Sequence, residues 1–235
     1  MSLAPARSLT AGCLAGAVVA FDLDGTLVDS APDLIGSLNV VLHEKGLPTL
    51  ALQQARPMVG RGARAMIEQG FAAAGEPLDP GESPALVRRF IAVYRDRIAL
   101  ESRPFDGVET ALTDLAGAGA KLCVCTNKFT DLSIALLDAL DLSRHFAAVV
   151  GPDLAPAPKP DARHLIAAVE AAGGCVQRAI MVGDSASDVG AARAAEVPSV
   201  VVSFGYTEIA AAELGGDHLI DRFADLPPLA GRLLA

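Results

Sequence analysis

The sequence contains no tryptophan, and aromatic residues make up only 4% of its 235 residues, although hydrophobic residues make up 51%. The core must therefore be built mainly from aliphatic side chains and alanine. No apolar run approaches the roughly 20 residues of a transmembrane helix, so we expect no membrane partner. A chain of this length can bury a sizeable core, as one domain or as two small ones.

Basic residues are also scarce. The 19 lysines and arginines are outnumbered by 28 aspartates and glutamates, which gives a formal net charge of −9. Proteins that bind nucleic acid need a basic footprint for the phosphate backbone, so this charge argues against a nucleic-acid partner. A small anionic substrate stays compatible with it, because such a ligand needs only a local positive site.

Cysteine and histidine are too scattered to indicate a disulfide framework or a zinc site. Cys123 and Cys125 alternate on a predicted strand, which indicates buried thiols in a reducing, cytoplasmic compartment. For the histidines we predict surface or loop positions. The residues concerned are Cys13, Cys123, Cys125, Cys175, His43, His145, His164 and His218.

The rest of the chain is organised around residues 16–30, GAVVAFDLDGTLVDS. Residues 17–21 form a short apolar, β-branched run that predicts a buried strand. Asp22 and Asp24 follow one residue apart, and alternate positions of an extended chain face the same way. Two neighbouring carboxylates at the end of a buried strand need positive charge between them. An ordinary turn would produce the same short Asp-x-Asp-Gly pattern.

Two kinds of pattern follow this stretch. Residues from about 32 to 102 show three amphipathic helical stripes and no convincing strand. Ser30 and Asp33 resemble a capping box that opens the first of these helices. After Pro104, short apolar strands alternate with helices, which predicts a parallel sheet covered by helices on both faces. The strands are predicted at residues 121–125, 147–150, 179–182, 199–202 and 218–220.

The carboxyl ends of parallel strands meet at one edge of a sheet, and ligands collect there. Asp22 and Asp24 end the first predicted strand, while Asp184 and Asp188 follow a later one. Carboxylate oxygens in a site that retains water suit Mg²⁺, which takes one or two carboxylates together with a substrate phosphate. We therefore predict Mg²⁺ as the cofactor.

A phosphate beside these carboxylates would need compensating positive charge. At an effective dielectric constant of ~20, a carboxylate near a phosphate dianion is disfavoured by roughly 8 kcal/mol. Thr126 and Asn127 offer a hydroxyl, an amide and exposed N–H groups at a strand end, which suit a phosphate cradle or simply begin a loop. Lys159 lies in a loop stiffened by three prolines, and its composition alone favours a solvated lysine.

Taken in order, DLDGTLVDS, the pair Thr126 and Asn127, Lys159 before Pro160, and GDSASD at residues 183–188 resemble the motifs of the haloacid dehalogenase superfamily of phosphatases. The resemblance covers about residues 16–205. It implies an α/β core with a Rossmann-like parallel sheet and an inserted α-helical cap. We accordingly predict a loose leader over residues 1–15, a core over 16–31 and 103–235, and a cap over 32–102.

The resemblance also implies a mechanism. Asp22 would attack phosphorus to form an aspartyl-phosphate, while Asp24 would protonate the leaving group and then activate water. Mg²⁺ would be held by Asp22, Asp184 and the backbone carbonyl of Asp24, and Asp188 would steady these ligands. The phosphate would be bound by three residues, Thr126, Asn127 and Lys159.

Within the superfamily the chain most resembles bacterial phosphoglycolate phosphatases, through segments such as VDSAPDL after the first motif and VGRGA in the cap. This resemblance predicts hydrolysis of 2-phosphoglycolate to glycolate and phosphate. Arg61 and Arg64 of the cap are the candidate partners of the glycolate carboxylate. Pro158 is a departure, because many relatives carry a basic or aromatic residue before the lysine of this motif.

Other activities stay open at this point. A phosphosugar mutase, or a pyrophosphate or nucleotide phosphatase of the same superfamily, would share the core and differ in its cap contacts. A dehalogenase would not need Asp24 as an acid. A phospho-accepting receiver domain also combines acidic residues, Thr, Lys and Mg²⁺, but it is shorter and has no inserted cap. We expect a small phosphorylated metabolite as the partner, and a monomer or homodimer.

Overall fold

The computed structural model describes residues 9–79, 81–207 and 209–234. Its strands are β1 (Val18–Phe21), β2 (Val28–Asp29), β3 (Arg103–Pro104), β4 (Lys121–Cys125), β5 (Ala148–Val150), β6 (Ala179–Gly183), β7 (Ser199–Val202) and β8 (His218–Ile220). Six of them form a parallel sheet in the order β5-β4-β1-β6-β7-β8. Each strand of this sheet lies within one residue of its predicted position.

Strand β1 lies inside the sheet, between β4 and β6, and all four of its residues are fully buried. Val19 and Phe21 pack on one face, against the helices over residues 108–117 and 226–234, whereas Val18 and Ala20 pack on the other, against the helices over residues 162–171 and 186–194. The predicted parallel sheet with helices on both faces is confirmed. The helices that cover it are α5 (Val108–Gly117), α6 (Thr130–Ala139), α7 (Ala162–Ala171), α8 (Ala186–Ala194) and α9 (Leu226–Leu234).

A helical cap is inserted between β2 and β3. Leu38, Ile67 and Phe90 come from three of its helices and are buried in one apolar cluster. Leu132 and Tyr206 of the core join the same cluster, so the cap packs directly on the core. The boundaries of the leader, core and cap domains stay a prediction. The cap helices are α1 (Ala31–Glu44), α2 (Leu52–Ala55), α3 (Ala63–Ala73) and α4 (Ser83–Asp96).

The two chain segments that connect core and cap are paired as a short antiparallel ladder. Val28 of β2 lies opposite Pro104 of β3, and Asp29 lies opposite Arg103. The Asp29 carboxylate also accepts a hydrogen bond of 2.5 Å from the hydroxyl of Tyr206. This ladder was not predicted, because strands of two residues are too short to show a periodic pattern.

Ser30 and Asp33 do not form the predicted capping box, so that prediction is wrong. The Ser30 hydroxyl donates instead to the Asp24 carboxylate at 2.5 Å. The Asp33 carboxylate accepts the N–H of Ser102 at 2.8 Å, the hydroxyl of Ser102 at 2.7 Å and the N–H of Glu101 at 2.9 Å. Both side chains are used in contacts between distant segments, and Asp33 ties the start of α1 to the chain that returns from the cap.

The predicted leader falls partly outside the described residues, which begin at Leu9. Leu14 is fully buried in the core, and its N–H donates to the carbonyl of Ala118 at 2.9 Å. Leu9 packs against the same cluster. Residues 9–15 are therefore held against the core.

The predictions for cysteine and for membrane spans can also be compared with the fold. Cys123 and Cys125 are buried free thiols, as predicted. Over the part of the chain that the structure describes, no helix is both long and apolar enough to cross a membrane.

Asp33→Ala should lower the free energy of unfolding by about 3 kcal/mol, because the buried N–H and hydroxyl of Ser102 lose their acceptor. Chemical denaturation measures the change. The exposed Asp114 of α5 provides the control, and Asp114→Ala should alter the same quantity by less than about 0.5 kcal/mol. Equal losses for the two variants would contradict the role of Asp33.

Candidate active site

Strand β1 brings Asp22 to the carboxyl edge of the sheet. The N–H of Asp22 donates to the carbonyl of Val182 on β6 at 2.9 Å, and its carboxylate accepts the N–H of Leu23 at 2.7 Å. The chain then turns at Gly25, whose φ of +85° favours glycine. A Cβ atom at this position would lie 2.3 Å from Oδ2 of Asp184. Glycine is therefore required where the two acidic segments meet.

Asp22, Asp184 and Asp188 form a buried acidic cluster whose carboxylate oxygens lie within 4.8 Å of one another. The hydroxyl of Thr26 (3.1 Å) and the N–H of Tyr206 (2.8 Å) orient Asp184. Burial, followed by repulsion from Asp22 and Asp188, raises the pKa of Asp184 to about 8. Burial is also the main cause that raises the pKa of Asp22 to about 6. Oxygen donors with excess negative charge fit a hard divalent cation.

Lys159 supplies positive charge to this cluster. Its Nζ lies 2.9 Å from Oδ1 of Asp22 and 2.6 Å from Oδ1 of Asp188, and its side chain is 1% exposed. Burial opposes the charge on the ammonium, but Asp188 and Asp22 outweigh this effect and hold the pKa of Lys159 above its ordinary value. Lys159 is thus a buried cation, and the alternative of a solvated loop lysine is wrong.

The backbone of Lys159 is held by two side chains from different elements. Asn127 accepts the N–H of Lys159 at 3.0 Å and donates to its carbonyl at 3.2 Å. Nδ1 of His164 accepts the same N–H at 3.1 Å, and its Nε2 donates to the carbonyl of Val150 at 3.1 Å. The side-chain amide of Asn127 is therefore engaged with the loop.

His164 does not lie at the surface or in a loop, and that prediction is wrong. It is fully buried in α7, and both ring nitrogens are hydrogen-bonded. A histidine on the apolar stripe of a predicted helix, five residues after Lys159, was the available signal. The position of His164 in the sequence does not show which carbonyl and which N–H will form hydrogen bonds with its ring.

Asp188 links Lys159 to the start of α8. One carboxylate oxygen contacts Lys159, and the other accepts the N–H of Ser185 at 3.0 Å and its hydroxyl at 2.6 Å. Ser185 and Asp188 form the capping box of this helix. The N-cap residue is thus Ser185 and not Ser187, the other serine of this segment.

A second buried lysine, which was not predicted as a site residue, pairs with Asp24. Nζ of Lys128 lies 2.9 and 3.0 Å from the two oxygens of the Asp24 carboxylate. Two residues earlier, the hydroxyl oxygen of Thr126 accepts the N–H of Lys128 at 3.2 Å. The available signal was charge balance, because four predicted site carboxylates had been assigned only one basic side chain besides Mg²⁺.

A cavity of about 40 Å³ lies between these residues and the cap. Arg61 and Arg64, the predicted partners of a substrate carboxylate, do not line it. Arg61 lines a neighbouring opening next to Asp184. Arg64 is exposed and pairs with Glu68 at 2.8 Å. The lining includes Asp22, Asp24, Thr126, Asn127 and Lys128 of the core and Met66, Phe90 and Tyr94 of the cap.

Lowering the pH from 7 to 5 should make the contribution of His164 to the stability of the protein less favourable. Burial holds the pKa of His164 below its ordinary value of 6.5. At this residue the unfolded chain therefore binds more protons in this range, so the contribution of His164 to stability falls as pH falls, by at most about 1.4 kcal/mol per pH unit. Because the raised pKa values of Asp22 and Asp184 act in the opposite direction over this range, the test is the difference between variant and wild type. In His164→Gln the free energy of unfolding should fall less, or rise more, as the pH is lowered. Denaturation series at several pH values measure the slope.

The control for this prediction is the exposed His43 at the end of α1. His43→Gln should keep the wild-type slope. A His164→Gln variant with the wild-type slope would contradict the assignment of a neutral, structural ring.

Comparison with known proteins places this site in a family. The model of the haloacid dehalogenase-like hydrolases matches residues 19–202. The phosphoglycolate phosphatase of Caulobacter vibrioides is 61% identical over 94% of this chain and 93% of its own length. That of Agrobacterium fabrum is 48% identical over 88% of this chain and 89% of its own.

Structural similarity supports the same conclusion. The crystal structure of a predicted phosphoglycolate phosphatase from Haemophilus somnus matches with a TM-score of 0.83 at 28% identity. The match covers 92% of this chain and 98% of that one. The sheet order, the inserted cap and the acidic cluster described above thus occur in a chain that belongs to the haloacid dehalogenase-like hydrolases.

Proposed function

We propose that this protein is a Mg²⁺-dependent phosphatase that hydrolyses 2-phosphoglycolate to glycolate and phosphate. The observation that carries the proposal is the contact of Asp22 with Lys159 beside Asp184 and Asp188, at the carboxyl edge of the sheet. Relatives that align with most of the chain are named phosphoglycolate phosphatases. A small phosphorylated metabolite is accordingly the proposed partner. The cytoplasmic location and the monomeric or homodimeric state stay predictions.

Asp22 is the proposed nucleophile. One of its carboxylate oxygens forms a bond to phosphorus, the bond between phosphorus and the ester oxygen breaks, and the products of this step are an aspartyl-phosphate and glycolate. Asp24 gives its proton to the departing oxygen and then takes one from the attacking water. Water adds to phosphorus, the bond to Asp22 breaks, and inorganic phosphate leaves.

Asp22, Asp184 and the backbone carbonyl of Asp24 are the proposed ligands of Mg²⁺. When bound, the ion would offset the charge of the phosphate and of the attacking carboxylate. Asp188 keeps the cluster in place, because it contacts both Lys159 and the start of α8.

Thr126, Asn127 and Lys159 are the proposed phosphate-binding residues. Lys159 offers its ammonium next to the nucleophile. The hydroxyl oxygen of Thr126 accepts the backbone N–H of Lys128. The hydroxyl hydrogen of Thr126 is therefore available to a phosphate oxygen. Asn127 acts chiefly by holding the Lys159 loop, since both ends of its amide contact that backbone. Donors fixed in this way stabilise developing charge without reorganisation.

The cavity under the cap favours a small leaving group. Its volume of about 40 Å³ suits a small leaving group better than a sugar or a nucleoside. A phosphosugar mutase or nucleotide phosphatase would need more space next to Asp24. A dehalogenase would not need Asp24 as an acid, because a departing halide does not have to be protonated.

Asp22→Asn should reduce kcat by at least about 10³-fold, because the amide is a poor nucleophile. The variant should fold, since it keeps the shape of the side chain and removes one of three crowded carboxylates. Release of phosphate from 2-phosphoglycolate and from an aryl phosphate, together with the circular dichroism spectrum, provides the measurement. Asp114→Asn, at an exposed position of α5, is the control and should keep full activity. A folded, active Asp22→Asn enzyme would refute the mechanism.

Asp184→Asn should abolish the response to Mg²⁺ in both activity and stability. Wild-type protein freed of metal should gain about 2.7 kcal/mol of stability at a Mg²⁺ concentration of ~100 times its dissociation constant, whereas the variant should gain nothing. The metal-free variant should be at least as stable as the metal-free wild type at neutral pH, because the ionised form of Asp184 is disfavoured there. Thermal unfolding with and without Mg²⁺ measures both effects. Full wild-type activity in excess chelator would contradict the cofactor assignment.

A further inference from the structure

We infer that Lys128, the hydroxyl of Tyr94 and the first turn of α3 form a subsite that binds the carboxylate of the leaving group. This inference rests on the proposed function, and it names the residues that would distinguish 2-phosphoglycolate from esters without a carboxylate. It replaces the expectation that Arg61 or Arg64 has this role.

Lys128 lies on the side of the site where the leaving group must be. A residue that protonates the leaving oxygen has to lie within hydrogen-bond distance of it, and Asp24 is that residue. Nζ of Lys128 is 2.9 Å from the Asp24 carboxylate, which brings the ammonium within about 6 Å of the leaving oxygen. The carboxylate of glycolate is attached to the carbon next to this oxygen, so it falls within reach of Lys128. Lys159, by contrast, contacts the nucleophile.

Tyr94 of α4 closes the same side of the cavity from the cap. Nζ of Lys128 lies 4.4 Å from the centre of its ring, in cation–π contact. Tyr94 is fully buried, and within the described residues no acceptor takes the hydrogen of its hydroxyl, although the Lys128 ammonium lies close enough to interact with the hydroxyl oxygen. The lysine ammonium has hydrogen-bond donors but no acceptor, so Lys128 cannot accept a hydrogen bond from the Tyr94 hydroxyl. Burial raises the pKa of Tyr94 to about 12, which keeps that hydrogen in place. An acceptor oxygen from a ligand would satisfy this buried donor.

The first turn of α3 adds further N–H groups. Gly60, Gly62 and Ala63 line the cavity, and Gly62 is the N-cap residue of this helix. No side chain caps the helix, and its first turn carries no acidic residue. The free N–H groups and the dipole at such an end favour an anion. The apolar side chains of Leu34, Met66 and Phe90 line the same space and limit its hydration, which strengthens the attraction.

The two arginines of this part of the cap are placed differently. The side chain of Arg64 is 68% exposed and pairs with Glu68 on its own helix. Arg61 lines the opening beside Asp184 and Ser185, on the metal side of the site. Neither lines the cavity that contains Asp24.

Tyr94→Phe is the decisive variant, because it removes only the unsatisfied hydroxyl. It should lower kcat/KM for 2-phosphoglycolate by about 10- to 150-fold, the range for a hydrogen bond to a charged group. The kcat/KM values for ethyl phosphate and p-nitrophenyl phosphate, which lack the carboxylate, should change less than about 3-fold. The melting temperature should stay the same or rise, since a buried donor without a partner is lost.

Tyr206, the other tyrosine of the chain, provides a matched control. Its hydroxyl donates to Asp29 at 2.5 Å and accepts the N–H of Ala31 at 3.2 Å. Tyr206→Phe should therefore lower the melting temperature and leave the ratio of kcat/KM values between the substrates unchanged. Arg64→Ala should alter neither quantity.

Lys128→Met provides a second, independent measurement. It should lower activity on all substrates, because Asp24 loses its partner, but it should lower activity on 2-phosphoglycolate at least about 10-fold more. Competitive inhibition of p-nitrophenyl phosphate hydrolysis by glycolate should weaken in both Lys128→Met and Tyr94→Phe.

The outcomes separate the inference from the proposed function. A wild-type enzyme that hydrolyses p-nitrophenyl phosphate but does not prefer 2-phosphoglycolate to ethyl phosphate would refute the proposed substrate, and the subsite with it. A wild-type preference that survives Tyr94→Phe, or equal losses on all substrates in both variants, would refute the subsite alone. A selective loss in a stable Tyr94→Phe variant supports it.

Discussion

The structure at the carboxyl edge of the sheet depends on the balance of buried charge around Asp22. Three buried carboxylates, Asp22, Asp184 and Asp188, surround one buried ammonium, that of Lys159, so three negative charges and one positive charge leave a formal excess of two. Burial, followed by repulsion within this excess, raises the pKa of Asp184, so that without a metal protonation relieves part of the charge. A divalent cation would neutralise it without a proton, and binding and deprotonation would then be coupled.

This balance holds only if the charges cannot move apart, and backbone contacts provide the restraint. Asn127 and His164 hold the Lys159 backbone from two different elements. Ser185 holds Asp188 at the start of α8, and Gly25 allows the Asp22 segment to approach Asp184. These residues place the functional groups before any substrate arrives, so that less reorganisation is needed during the reaction.

On the proposed mechanism, the two buried lysines would divide the site into a phosphate side and a leaving-group side. Lys159 contacts the proposed nucleophile, whereas Lys128 contacts the proposed acid, Asp24. Lys128 also contacts the cap, through the ring of Tyr94. On the proposed mechanism, the core would treat every phosphate ester alike, and the cap would determine which leaving group is accepted. The pairing of β2 with β3 and the contacts of Asp33 fasten the cap at both of its connections.

The sequence by itself determined the features that depend on local pattern. The apolar, β-branched run before Asp22 specified a buried strand, later strands lay within one residue of their predicted positions, and the strand ends placed the acidic residues at one edge. Tertiary structure alone decided which partner each polar side chain takes. Ser30 meets Asp24 and His164 meets Lys159, because a hydrogen-bonding side chain takes whichever donor or acceptor folding brings near. The pairing of Lys128 with Tyr94 has the same origin, since it exists only where cap and core pack together.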